Sequence, residues 1–145
     1  MKGSFLEIGH WNEAKTGERA EGDVFLSRRI ADEGRIISVL SDGLGSGVKA
    51  NVLATITATM AAGLAAADLP MERAAEAIMR SLPVCSERKI SYATFTLIDV
   101  GATGEISIIE YDNPPFVLLR NGAVLRVEKT ELEVKRRGQG RGRRG

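Results

Sequence analysis

Ser41-Asp42-Gly43-Leu44-Gly45-Ser46-Gly47 places one carboxylate among three glycines, between a short apolar run and a long stretch of small residues. The run before it, Ile36-Ile37-Ser38-Val39-Leu40, is β-branched and bounded by Gly34 and Gly43, the pattern of a buried strand. From about Val48 to Ala67 the residues are almost all Ala, Thr, Val, Leu, Ile or Met, too long a run for a strand, so a helix is expected there. Asp42 therefore stands at the C-terminal end of a strand. Glycines at 43, 45 and 47 permit positive φ and close backbone approach, so the turn exposes peptide carbonyls and N–H groups. An aspartate beside a bare carbonyl offers hard oxygens, which suit Mg²⁺ or Mn²⁺; with a single cysteine and a single histidine the chain has no set of softer ligands. The same residues also fit a plain strand-turn-helix corner in which Asp42 or Ser46 caps the helix. A phosphate cradle fits less well. The glycine spacing matches neither G-x-G-x-x-G nor a loop ending in Gly-Lys-Ser/Thr, and Asp42 would repel an anion unless a cation intervened.

Upstream, Gly22-Asp23 precedes Val24-Phe25-Leu26, which opens another strand, with Arg28-Arg29 near its end. Asp32-Glu33-Gly34 then reads as a hairpin turn. Neighbouring antiparallel strands with one Asp at the start of the first and another at the end of the second bring Asp23 and Asp42 to the same end of the sheet. Residues 4–10 alternate loosely enough to predict a first strand, followed by a polar, glycine-interrupted loop over 12–22. His10, the only histidine, excludes a multi-histidine zinc site and reads as packing or surface, with a proton donor near the site as the other option; Trp11 is treated alike.

Downstream, Asp68-Leu69-Pro70 stops the first helix and starts a second, in which Met71, Ala74, Ala75, Ile78, Met79 and Leu82 follow the spacing of one buried face. Pro83 ends it. After a connector over 84–89, strands are expected at 90–100, 105–111, 116–120 and 123–127, punctuated by Gly101–Gly104, Asp112-Asn113-Pro114-Pro115 and the hairpin signal Asn121-Gly122. Asp99 and Asp112 read as turn or surface residues. Strands, two helices and then consecutive strands joined by tight turns argue α+β with antiparallel sheet.

A chain of 145 residues with 43% hydrophobic and 27% charged residues is an ordinary globular domain. The lone Cys85 allows no intrachain disulfide, and Met1-Lys2-Gly3-Ser4-Phe5 lacks a signal-peptide core, so a reducing, cytoplasmic compartment is expected. The 48–67 helix is long enough to raise the question of a membrane, but its Ala, Thr and Gly content is weak for lipid and Lys49 and Asp68 bracket it. Six of the 20 Lys/Arg fall in 135–145, which leaves fourteen against nineteen acids in the body, a net of −5. Such a body suits cations better than nucleic acid. The Arg/Gly tail over 135–145 has no apolar residue to pack and is expected to be disordered, separate from a domain over 1–134.

Gly22-Asp23, an intervening hairpin and Asp42-Gly43-Leu44-Gly45-Ser46-Gly47 followed by Ala50 resemble the first half of the metal-dependent protein phosphatase (PPM, type 2C) superfamily, in its bacterial SpoIIE-like, RsbX-like branch. Lys15-x-Gly17-Glu18, Tyr92-Ala93-Thr94-Phe95, Asn113-Pro114-Pro115-Phe116 and Asn121-Gly122 extend the resemblance over about residues 10–128. It implies an α-β-β-α sandwich of antiparallel sheets flanked by helices, with two Mn²⁺ or Mg²⁺ ions at one end. Carried over by position, Asp42 would bridge the metals, the Gly43 carbonyl would ligate one, and Asp23 would hold a metal-activated water that attacks phosphoserine or phosphothreonine. Family members continue past the Asn-Gly hairpin to a further Asp-Gly strand end and a late Asp pair. Glu131 and Glu133 match neither, so the resemblance implies a domain incomplete at its C-terminal end.

Three functions follow. A protein phosphatase acting on a phosphorylated bacterial regulatory protein, of the anti-anti-sigma or stressosome type, requires metal-dependent turnover. A catalytically incomplete interaction domain of the same fold in sigma-factor or stress signalling binds its partner without turnover. An RNA-binding protein acting through the Arg/Gly tail would lose affinity steeply with salt, and nucleic acid is the least favoured partner. An uncovered sheet edge would also be a place for a homodimer to form.

Overall fold

A computed structural model describes residues 5–13, 16–17, 22–43, 47–81 and 93–131. The chain divides into two units at Asn113/Pro114. In the first, strand β1 (Asp23–Ile30) leads through a short 3₁₀ turn (Ala31–Glu33) into β2 (Arg35–Gly43), followed by helix α1 (Gly47–Ala65), helix α2 (Met71–Ser81), β3 (Ala93–Val100) and β4 (Ile106–Tyr111). The four strands form one antiparallel sheet in the order β1-β2-β3-β4. Antiparallel sheet with segregated helices is the α+β class expected from the order of elements.

Strand periodicity decides which face is covered. Along β2, Ile37, Val39, Ser41 and Gly43 are buried, whereas Leu40 is 48% exposed and Asp42 is exposed. The buried set points at α1, and with Phe95 and Leu97 of β3 and Ala58, Ala61, Ala62 and Ala65 of α1 it makes the core. Burial of each of Ile37, Val39, Phe95 and Leu97 is worth about 1.5–3 kcal/mol. Alanines on that side of α1 let its backbone approach the sheet closely. By length and composition α1 could cross a membrane, with 19 residues at a mean hydropathy of 1.3. Here it lies on β1, β2, β3 and α2, and eight of its residues along one side are buried. The second helix contributes Ala74, Ala75 and Ile78 to the interior as its spacing predicts; Leu82 and the 84–89 connector lie outside the described residues.

Turn chemistry accounts for the connections. The β1–β2 turn is a 3₁₀ turn closed by Gly34 at φ 60°. Asp68, after α1, takes φ 52° without a glycine, which short polar side chains tolerate best. The Pro70 carbonyl accepts from the Ala74 N–H at 2.9 Å and so opens α2.

Two expectations are corrected. Residues 5–10 form no strand: Phe5 is 89% exposed, Leu6 and Ile8 are exposed, and the segment joins no ladder among the described residues. Alternation supplies a strand pattern, but a strand also needs a partner edge. Asp99 is not a surface or turn residue. Its side chain is 11% exposed and accepts both Arg35 Nε (2.8 Å) and Arg35 Nη2 (2.5 Å), while Nη2 also reaches the Ala65 carbonyl at 2.7 Å. Arg35 thereby joins β2, β3 and the C-terminal end of α1, and the Asp99 hydrogen bonds hold its guanidinium above the ordinary arginine range despite partial burial. Asp112, at φ 50°, is a turn residue as expected.

In the second unit, β5 (Leu118–Arg120) and β6 (Ala123–Leu125) form a two-stranded antiparallel ladder. Asn121 and Gly122 both have positive φ, 52° and 78°, the geometry their dipeptide predicts. Lys129 Nζ lies 4.7 Å from the centre of the Phe116 ring. The tail from residue 132 on lies outside the described residues.

Candidate functional site

Because β1 and β2 are joined by a short turn, their pairing has little freedom in register. Asp23 stands directly opposite Asp42, followed by Phe25 opposite Leu40 and Ser27 opposite Ser38. Residues directly opposite in an antiparallel pair share a face, with Cβ atoms about 4.5–5.5 Å apart, so the two carboxylates emerge side by side on the face turned away from α1. Two like charges at that spacing oppose each other in the absence of a cation, and both present hard oxygens.

The strand ends that carry them are pinned. The Gly43 N–H donates to the Gly22 carbonyl at 3.0 Å, tying Gly22-Asp23 to Asp42-Gly43. Asn12 Nδ2 donates to the Asp23 carbonyl at 2.9 Å. Gly43 is buried, and a Cβ there would meet the Ala50 carbonyl oxygen at 2.0 Å. Glycine is therefore demanded by the approach of α1 to the end of β2. Leu44, Gly45 and Ser46 lie outside the described residues, as do Lys15 and Glu18. Among the described residues no group of three or more His, Cys, Asp or Glu gathers, so the charged donors at this end are the two aspartates, beside neutral oxygens. That set suits a hard divalent cation and no softer one.

His10, the alternative proton donor, lies with its ring stacked on Phe25 at 4.5 Å between centroids. Phe25 is on the same face as Asp23, two residues along β1, and the contact is a packing one. Trp11 is exposed.

Sequence reasoning overlooked the polar cluster across β3. Thr94 is the register partner of Asp42, and its Oγ1 donates to Asn113 Oδ1 at 2.5 Å. Asn113 Nδ2 donates to Thr96 Oγ1 at 2.9 Å and to the Leu40 carbonyl at 3.3 Å. From the other face Ser41 Oγ donates to the Thr94 carbonyl at 2.9 Å. The signal was available in Asn113-Pro114-Pro115, since a residue before proline is held extended and its side chain is held with it. Read alone, the tripeptide says only that a strand ends.

The sequence profile of the stage II sporulation protein E (SpoIIE) family matches residues 32–134, more than half of the chain. Among solved structures, the PP2C phosphatase domain of the cell-fate determinant SpoIIE from Bacillus subtilis, with a fragment of its regulatory domain, superposes with a TM-score of 0.53 at 18% identity over 79% of this chain and 38% of that one. The RsbU and RsbW domains of a Mycobacterium tuberculosis protein superpose with a TM-score of 0.53 at 24% identity over 70% of this chain and 28% of that one. These likenesses establish a PP2C-type phosphatase fold, and the chain spans well under half the length of either protein. No curated protein sequence matches the chain.

Proposed function

The chain belongs to the SpoIIE family, and from that premise we propose that it is a metal-dependent protein serine/threonine phosphatase. The observation that carries the reading is the register that sets Asp23 against Asp42 at one end of the sheet, each followed or preceded by a glycine whose backbone joins the two motifs. In this reading Asp42, Asp23 and the Gly43 carbonyl hold Mn²⁺ or Mg²⁺. A cation bound there supplies positive charge against the phosphoryl oxygens and makes water a better nucleophile near neutral pH.

In the same reading the chain's own residues bind and orient. Asp23 accepts a hydrogen bond from the attacking water and orients it, with its backbone held by Asn12. The water oxygen bonds to phosphorus in line with the departing serine or threonine oxygen and the P–O bond to that side chain breaks; the proton the water gives up passes by way of Asp23 to solvent, and the alkoxide takes a proton from solvent water. Inorganic phosphate and a free hydroxyl result, with no phosphoenzyme. The substrate in this reading is a phosphorylated bacterial regulatory protein of the anti-anti-sigma or stressosome type, met in the cytoplasm; family membership supports that class.

The test is hydrolysis of p-nitrophenyl phosphate and of a phosphoserine peptide against Mn²⁺ concentration, with the intact chain and Asp42→Ala. Activity that rises with Mn²⁺ and is lost in the variant is expected. A folded protein inert at millimolar Mn²⁺ would sink the phosphatase reading and leave a domain that binds regulatory partners without turnover.

A further inference from the structure

The row of residues at the acidic end of the sheet continues past the two aspartates. Asp23 of β1 is opposite Asp42 of β2, and Asp42 is opposite Thr94 of β3, so all three share the face turned away from α1. Thr94 is 8% exposed and its hydroxyl is committed to Asn113.

The direction of that hydrogen bond follows from the far side of the Asn113 amide. A carbonyl can only accept, so the edge of the amide that faces the Leu40 carbonyl at 3.3 Å must be the NH₂ group. That same nitrogen meets Thr96 Oγ1 at 2.9 Å. The opposite edge, facing Thr94, must then be the amide oxygen, which accepts the one proton Thr94 has. Thr94 Oγ1 is left with lone pairs only. It cannot donate to the Asp42 carboxylate and so does not compete for the oxygens of that aspartate. It can accept from a water or offer an oxygen to a hard cation.

We infer that Asn113 is a positioning residue for the Asp23/Asp42 site, fixing the Thr94 hydroxyl as a third oxygen acceptor in the row formed by the two carboxylates. The inference rests on the cation-binding reading above and adds to it two residues that carry no charge. A purely structural role for the same bonds, tying β4's exit to β2 and β3, would lower stability and leave cation affinity untouched. The two roles therefore separate in a binding measurement.

The experiment titrates the full chain with Mn²⁺ and follows the free-ion signal by electron paramagnetic resonance, for wild type, Asp42→Asn, Thr94→Val, Thr94→Ser, Asn113→Ala and the Thr94→Val/Asn113→Ala pair, each with a thermal melt to show that it is folded. Thr94→Val keeps the shape of the side chain and removes the oxygen, so it tests the inference even if Asn113→Ala does not fold. Thr94→Val and Asn113→Ala are expected to weaken Mn²⁺ binding about tenfold, the usual size of an outer-shell effect. Thr94→Ser should stay within about twofold of wild type, and the pair should be no weaker than Thr94→Val alone, because the two residues act as one unit. Wild-type affinity in Thr94→Val, with binding lost in Asp42→Asn, overturns this inference and leaves the metal site standing. Wild type indistinguishable from Asp42→Asn overturns both.

Discussion

Gly43→Ala tests whether the end of β2 is built around the approach of α1. The added methyl group would lie 2.0 Å from the Ala50 carbonyl oxygen, 2.6 Å from its carbonyl carbon and 2.9 Å from the Gly22 oxygen. A relaxed carbon–oxygen contact is about 3.3 Å, so something must move by roughly 1 Å. All three neighbours are backbone atoms, and no rotamer change relieves them. Overpacking costs about 1–3 kcal/mol, and a clash against backbone alone belongs at the upper end, about 3 kcal/mol. For a chain of this size that lowers Tm by about 10 °C. The control is Gly63→Ala, in α1, where nothing among the described residues lies within 4 Å of the added Cβ. There alanine's better helix propensity should stabilise by about 0.8 kcal/mol, a rise of about 3 °C. Thermal unfolding followed by circular dichroism at 222 nm measures both. A Gly43→Ala protein that melts within roughly 2 °C of wild type would refute the close-approach argument.

Three further outcomes are expected. Thr57 Oγ1 is buried in α1 without a hydrogen-bond partner among the described residues, so Thr57→Val, which keeps the shape and removes the stranded hydroxyl, should stabilise by about 1 kcal/mol in urea denaturation; a loss of stability would show that the hydroxyl is satisfied after all. Asp99→Ala removes both charge-assisted bonds from Arg35, whose side chain is 16% exposed, and leaves it only the half-exposed Glu33 carboxylate at 3.3 Å, so it should cost about 2 kcal/mol by the same assay, against no measurable change if the pair behaves as a surface bridge. Mn²⁺ at about a hundred times its dissociation constant should stabilise the wild type by about 2.7 kcal/mol, read as a rise in Tm. Asp23→Asn should abolish that rise, and an undiminished rise would place the cation elsewhere.

Much of the fold could be read from local pattern. The small-residue run over 48–67 was too long to be anything but a helix, and the structure makes it one over Gly47–Ala65. The apolar spacing of 71–82 identified the buried side of α2, and Asn121-Gly122 announced its hairpin through the positive φ both residues adopt. The juxtaposition of Asp23 and Asp42 was legible for a topological reason. A short hairpin fixes which end of one strand meets which end of the next, and strand parity then fixes the face.

Other features depend on partners distant in the chain, which no local pattern names. Residues 4–10 alternate like a strand, yet the described part of that segment has no ladder to join. Asp99 looked like a spare acid because its cation lies 64 positions away at Arg35. Asn113 looked like a strand breaker because Thr94, Thr96 and Leu40 reach it only once β2, β3 and β4 are side by side. From β1 onward sequence alone determined the class of elements, their order and the pair of carboxylates at one sheet end, because these follow from periodicity and the geometry of a tight hairpin. Tertiary structure alone decided why position 43 has no room for a side chain and which uncharged groups stand beside Asp42, because steric room and hydrogen-bond direction are properties of neighbours that only the folded chain brings together.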